Sequence, residues 1–210
     1  MAEITQGSEP DAHVVTLADG GRILVRPLLP SDRDELAERY LELSPEARRQ
    51  RFFNAPGHLS ERLLDYLMDV GGADRCAVVA FAIDDDGSPG VGLARYVRSR
   101  EDPDCAEAAV TVLDRYQNRG IATTLLRRLA DQARADGIST FTASVMWENR
   151  KLLDGLRAFG AEVAPSEPGV ASVRIALPAP DVELPETDLH RALRIFAARI
   201  DEMIGLRFER

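Results

Sequence analysis

Between residues 107 and 146 the hydrophobic period of the chain changes twice, and this passage constrains the fold more than any other. Residues 107–113 are rich in β-branched side chains, and Asp114, Arg115, Tyr116, Gln117, Asn118, Arg119 and Gly120 carry turn chemistry. Ala122, Leu125, Leu126, Leu129 and Ala133 then recur at helical spacing until Gly137, and residues 140–146 return to a strand pattern. A parallel neighbour in a sheet needs a crossover connection, so strand, helix and strand in this order predict one βαβ unit.

The rest of the chain surrounds that unit with antiparallel signals. Residues 13–17 and 22–27 flank Ala18, Asp19, Gly20 and Gly21, the pattern of a hairpin. Ser31, with Asp34 three residues on, predicts the N-cap of a helix over residues 32–43. Ser44, Pro45 and Glu46 open a second helix that runs to Phe53, and Ser60 opens a third with Leu63, Leu64, Leu67 and Met68 on one face. Residues 76–83 and 91–97 form a strand pair around a turn dense in Asp, Gly and Pro. A helix over 149–159 stopped by Gly160, then strands over 162–165 and 170–177, complete the order. The fold class predicted is α/β: a mixed, mostly antiparallel sheet with one βαβ unit and helices on both faces, over residues 13–177. Residues 1–12 are expected to be a disordered tail. Residues 178–210 are expected to be a Pro-Ala-Pro linker and an amphipathic helix. Its stripe of Leu189, Leu193, Phe196, Ile200 and Met203 needs a cover, either the chain's own core or, in the alternative, a homodimer partner.

Composition then excludes several functions. With 35 acidic and 26 basic side chains the net charge is −9, so a cationic field for nucleic acid is missing. Of the basic residues only Lys151 is lysine. Cys76 and Cys105 form no CxxC pair and His13, His58 and His190 are scattered, which predicts neither a metal site nor a disulfide framework. The longest apolar run, residues 76–83, is far short of the roughly 20 residues that span a bilayer. The polar, acidic start resembles neither a secretory nor a transit signal, so a cytoplasmic protein without membrane contact is expected.

The chemistry is concentrated in Gln117, Asn118, Arg119, Gly120, Ile121 and Ala122. A helix start offers unpaired backbone N–H groups and a partial positive charge, and a glycine there lets a phosphate approach the backbone. The string is neither GxGxxG nor a Walker loop. The pattern Gln117-x-x-Gly120-x-Ala122, preceded by Val110, Thr111 and Val112 and followed by helix, strand and Asn149, resembles the GNAT superfamily of acetyl-CoA-dependent N-acetyltransferases. The resemblance implies the GNAT fold and acetyl-CoA as acetyl donor. It implies that residues 117–122 bind the pyrophosphate, that the backbone of Thr111 and Val112 pairs with the pantetheine arm, and that Asn149 contacts that arm or its waters. Residues 43–53, the strand from Val91 to Tyr96, and Glu107 are similar to the catalytic domain of bacterial Pat-type protein lysine acetyltransferases, which makes a protein lysine the expected amine substrate.

An amine attacks a thioester only when unprotonated. At a reference pKa of about 10.4, a lysine at pH 7 lies about 3.4 units from neutrality, a cost near 4.6 kcal/mol. Glu107 is the candidate general base, because alternate strand residues 107, 109 and 111 share one face, and the resembled branch places a base at the matching position. Where many superfamily members carry a tyrosine acid, this chain has Leu156, so the acid stays unassigned; Tyr96 and Tyr116 are expected to pack or to contact substrate. Two other functions remain open at this point: acetylation of a small amine such as a polyamine or aminoglycoside, and a non-catalytic acetyl-CoA-binding or dimerisation module.

Overall fold

The computed structural model describes residues 11–45, 47, 57–148, 150–158 and 160–177. The expected tail up to residue 10, most of the helix expected over 46–53, Asn149 and the C-terminal stripe lie outside these residues. A hairpin of β1 (His13–Thr16) and β2 (Arg22–Pro27) comes first. A 3-10 turn, Pro30–Asp32, runs into α1 (Arg33–Glu42), and α2 (Glu61–Met68) follows. Then come β3 (Arg75–Ala82), β4 (Gly90–Arg98), β5 (Cys105–Val112), α3 (Ile121–Ala135), β6 (Thr140–Met146), α4 (Arg150–Ala158), β7 (Glu162–Pro165) and β8 (Val170–Ala176).

These strands form one sheet in the order β1-β2-β3-β4-β5-β6-β8-β7, and the expected crossover is present: β5 and β6 are parallel and every other pair is antiparallel. Helices cover both faces. On one, α3 lies so close over β4 that a Cβ on Gly92 would come within 2.9 Å of Leu125 and 3.4 Å of Ile121. On the other, Leu36 of α1 and Met68 of α2 pack on Leu28, Ala77, Val79 and Leu93. Gly137 ends α3 at φ +80, a left-handed conformation that glycine adopts without a Cβ clash, and the next N–H, that of Ile138, closes on the carbonyl of Ala133 at 2.8 Å.

The central pairing is incomplete, and this positions the site. β5 and β6 are in register only through Cys105↔Thr140, Ala106↔Phe141 and Glu107↔Thr142. Beyond that point β5 stays with β4 as far as Gly92↔Val112, and β6 stays with β8 as far as Met146↔Val170. The two strands part like a fork, and residues 108–112 have no strand beside them on the β6 side among the described residues.

Ser60 follows the local cap pattern, Ser44 makes the same kind of bond, and Ser31 does not. Ser60 Oγ accepts from the N–H of Leu63 at 3.2 Å, and Ser44 Oγ accepts from the N–H of Ala47 at 3.1 Å. Ser31, by contrast, is exposed and caps nothing; α1 begins at Arg33, after Asp32. The buried carboxylate of Asp32 accepts from the N–H of Leu29 at 2.8 Å and takes both ends of the Arg26 guanidinium at 2.7 Å each. A buried cation on β2 needs a carboxylate, and that long-range demand shifts the helix start relative to the local signal. Burial pushes the Asp32 carboxyl up, but the bonds from Arg26 and Leu29 outweigh it and hold it below the ordinary carboxylate range. A depressed folded pKa contributes stability above the unfolded pKa and loses it as pH falls through the folded one. Asp32→Ala should therefore cost about 3–5 kcal/mol at pH 7 in urea unfolding, because it leaves Arg26 buried without its carboxylate, and the loss should shrink at acid pH.

Candidate functional site

Strand register sorts the residues of β5 by face. Ala94 faces Val110 and Gly92 faces Val112 on the α3 side, whereas Leu93 faces Thr111, Arg95 faces Ala109 and Val97 faces Glu107 on the side of α1 and α2. Glu107 and Thr111 thus share one face, as the alternation predicts. Glu107 stands at the fork, the last residue of β5 in register with β6. It is half-buried, and burial pushes its carboxyl up to about 7 against the opposing pull of the Arg95 guanidinium. Such a group is poised between acid and base at neutral pH.

Thr111 and Leu113 line a pocket of about 70 Å³ under α1, together with Val79 and Phe81 of the sheet and Leu36 and Tyr40 of the helix. The Oγ1 of Thr111 is buried and has no hydrogen-bond partner among the described residues. Ser44 fastens this side to the turn after β5: its N–H and its hydroxyl both donate to the Asp114 carboxylate, at 2.9 and 3.0 Å.

The turn from β5 to α3 is built on two left-handed residues, Asn118 at φ +62 and Gly120 at φ +90. Glycine adopts this region freely and asparagine is among the side chains that tolerate it best. Gln117 donates from Nε2 to the carbonyl of Val112 at 3.2 Å, which folds the turn back on the open end of β5. The carbonyl of Gly120 accepts from both the N–H and the hydroxyl of Thr124, at 3.1 and 3.2 Å. The start of the fifteen-residue α3 presents the N–H groups that any first turn leaves without an intrahelical acceptor. Ile121 and Ala122 are buried in the core, so what they offer a ligand is backbone alone. Arg119 turns away: its Nε donates to Asp19 at 2.5 Å, and its guanidinium lies 2.3 Å from where a Cβ on Gly21 would be. This turn and the unpaired edge of β5 fit an extended phosphorylated arm, with phosphate at the helix start and the arm beside residues 108–112.

Of the sequence-predicted residues, Glu107, Thr111, Val112 and residues 117–122 are brought to the mouth and edge of the fork, whereas Asn149 lies outside the described residues. Leu156 is core. The hydroxyl of Tyr96 donates to Asp136 on the α3 side, and that of Tyr116 to Asp85. Trp147 packs against the core. Among the described residues no group of three or more His, Cys, Asp or Glu could hold a metal ion. Sequence reasoning assigned no role to Arg95 or Tyr66. Arg95 is 3% exposed, with its Cζ 4.3 Å from the Tyr66 ring centroid. The signal was a lone cation in the apolar run of β4, where charge is rarely tolerated unpaired.

Comparison with known proteins agrees with this geometry. The acetyltransferase (GNAT) domain profile matches residues 22–162. Acetyltransferase PA5475 of Pseudomonas aeruginosa is 36% identical over 152 residues, covering 72% of this chain and 81% of that protein. Acetyltransferase Pat of Mycolicibacterium smegmatis is 31% identical over 185 residues, 86% of this chain; the aligned part spans only 53% of Pat. Among solved structures, the GNAT domain of S. lividans PAT is similar at a TM-score of 0.69 and 30% identity, over 79% of this chain and 97% of that one. With the profile running from β2 through α4 and the fork, turn and helix start in place, the chain belongs to the GNAT acetyltransferase family.

Proposed function

We propose that this acyltransferase moves the acetyl group of acetyl-CoA directly to a primary amine, with Glu107 as general base and a protein lysine as acceptor. The observation that carries the reading is the placement of Glu107 at the fork, half-buried, with a carboxyl pushed up to about 7. Acetyl-CoA supplies an activated thioester; the work of the chain is to hold it and to manage one proton. The N–H groups at the start of α3 hold the pyrophosphate, while the free edge of β5 at Thr111 and Val112 aligns the pantetheine arm. Asn149 is retained as a further contact to that arm.

The proton is the costly part. Transfer from an ammonium of pKa about 10.4 to an ordinary glutamate near 4.3 is uphill by about 6 units, and raising Glu107 to about 7 removes close to 3 of them, worth roughly 4 kcal/mol. The amine nitrogen then forms the amide bond as the carbon–sulfur bond breaks. A thiolate whose conjugate acid has a pKa near 8.5 leaves tolerably without a side-chain acid. That accords with Leu156 in the core and both tyrosine hydroxyls held by aspartates.

The protein-lysine acceptor is supported by the similarity to Pat and by the strings around residues 43–53 and 91–96. The net charge of −9 attracts any cationic amine and keeps polyamines as the second reading. The cytoplasm is the expected setting; among the described residues no helix is long and apolar enough to cross a membrane.

Glu107→Gln should lower turnover about 10²-fold or more and abolish the acidic limb of the pH profile near 7, while calorimetry finds acetyl-CoA affinity nearly intact. Unchanged turnover would remove Glu107 from the mechanism. Gly120→Ala forces a side chain into φ +90, and the strain of about 1–3 kcal/mol should appear as acetyl-CoA binding weakened by roughly ten-fold or more. Release of free thiol, followed over polyamines, aminoglycosides and lysine-bearing proteins, should be fastest with a protein acceptor; a preference for spermidine-like amines would select the second reading.

A further inference from the structure

Among the described residues around the fork, the charged side chain of Arg95 is explained by neither the turn nor the base. It sits in the middle of β4 between Ala94 and Tyr96, both wholly buried. A guanidinium survives in such a place only with compensation. Two sources are at hand. The ring of Tyr66, on α2, lies against its face at 4.3 Å from Cζ to the ring centroid. The carboxyl of Glu107 lies diagonally across the strand pair, since Arg95 faces Ala109 and Val97 faces Glu107. Diagonal neighbours on one face of an antiparallel pair are about 7–8 Å apart at the backbone, within reach of a long cationic side chain.

We propose that Arg95 is a positioning residue for acetyl transfer: its cation, walled off from water by Tyr66, keeps Glu107 available as a carboxylate at neutral pH. This rests on the reading of Glu107 as the base. The groups around Glu107 make the assignment specific. β4 brings Val97 and Arg95, β6 brings Thr142, and α2 brings Tyr66 over Arg95. Among the described residues, Arg95 carries the charge that acts on Glu107, and it opposes the burial that favours the protonated acid. Tyr66 matters because its ring face both excludes water and holds the guanidinium by cation–π attraction; leucine keeps the first and loses the second, which lets the charge drift from Glu107. Removing the charge leaves burial unopposed, so Glu107 accepts its proton at higher pH and the base is lost where the enzyme works.

The test is the pH dependence of kcat/KM, from about pH 5.5 to about pH 9, for wild type, Arg95→Gln, Arg95→Lys, Tyr66→Leu and Glu107→Gln with one amine acceptor. Dividing each variant by wild type at the same pH cancels the titration of the acceptor. For Arg95→Gln this ratio should be about ten-fold lower near pH 6 than near pH 9, the mark of an acidic limb moved up by about one unit. Arg95→Lys should restore the wild-type limb, and Tyr66→Leu should move it in the same direction as glutamine but less far. Acetyl-CoA affinity should stay within about two-fold throughout, because Arg95 lies away from the turn. A ratio independent of pH in Arg95→Gln, or a lysine variant displaced as far as the glutamine one, overturns the proposal. If Arg95→Gln does not fold, Tyr66→Leu on the half-buried face of α2 decides, and an unmoved limb there overturns it. Full activity in Glu107→Gln would instead sink the base itself, an outcome distinct from the other two.

Discussion

Two parallel strands that begin as neighbours and then part leave backbone donors and acceptors with no strand between them among the described residues. Every feature of the site depends on that geometry. β5 is held by β4 along its length and β6 by β8, so neither can bend to close the gap beyond Glu107↔Thr142. Buried backbone polar groups require partners, and an open strand edge inside a sheet is a standing demand for an extended chain. The glycine turn at the wide end and the carboxylate at the narrow end give that edge a direction; on the proposed reading, phosphate lies at one end and the reacting carbonyl at the other.

The division of labour follows. At the wide end the chain contributes peptide groups. Ile121 and Ala122 spend their side chains on the core, and Arg119 spends its own on the β1–β2 hairpin. At the narrow end it contributes ionisable side chains, Glu107 and Arg95, with Tyr66 as their wall. On the proposed reading, recognition falls to the backbone, which tolerates substitution at the side chains, and proton management falls to side chains that do not.

The order of elements was legible because periodicity is local: residues 140–146 and 162–165 alternate or run apolar between glycines, and the predicted strands coincide with β6 and β7. The start of α1 was not, because Ser31 satisfies the local cap pattern while the demand that moves the start to Arg33 comes from Arg26 on another element. Nor was the fork legible, since the point where register stops is decided by what β4 and β8 hold on either side. Parity within a strand did place Glu107 with Thr111. It could not bring in Arg95, whose relation to Glu107 exists only across the β4–β5 register.

The contact between Arg119 and the first hairpin joins residues a hundred positions apart. The guanidinium occupies the space that a side chain at position 21 would need, and Asp19 at the same bend supplies its counter-charge. A Cβ at position 21 would meet the end of a flexible side chain that can re-seat, so the three positions are coupled without being locked. A side chain at 21 should therefore loosen the Arg119–Asp19 pair while leaving the hairpin and the turn in place. Covariation among positions 19, 21 and 119 would be the trace of steric fit between the hairpin and the turn before α3, and it would be mistaken for shared chemistry by anyone reading the columns without the fold.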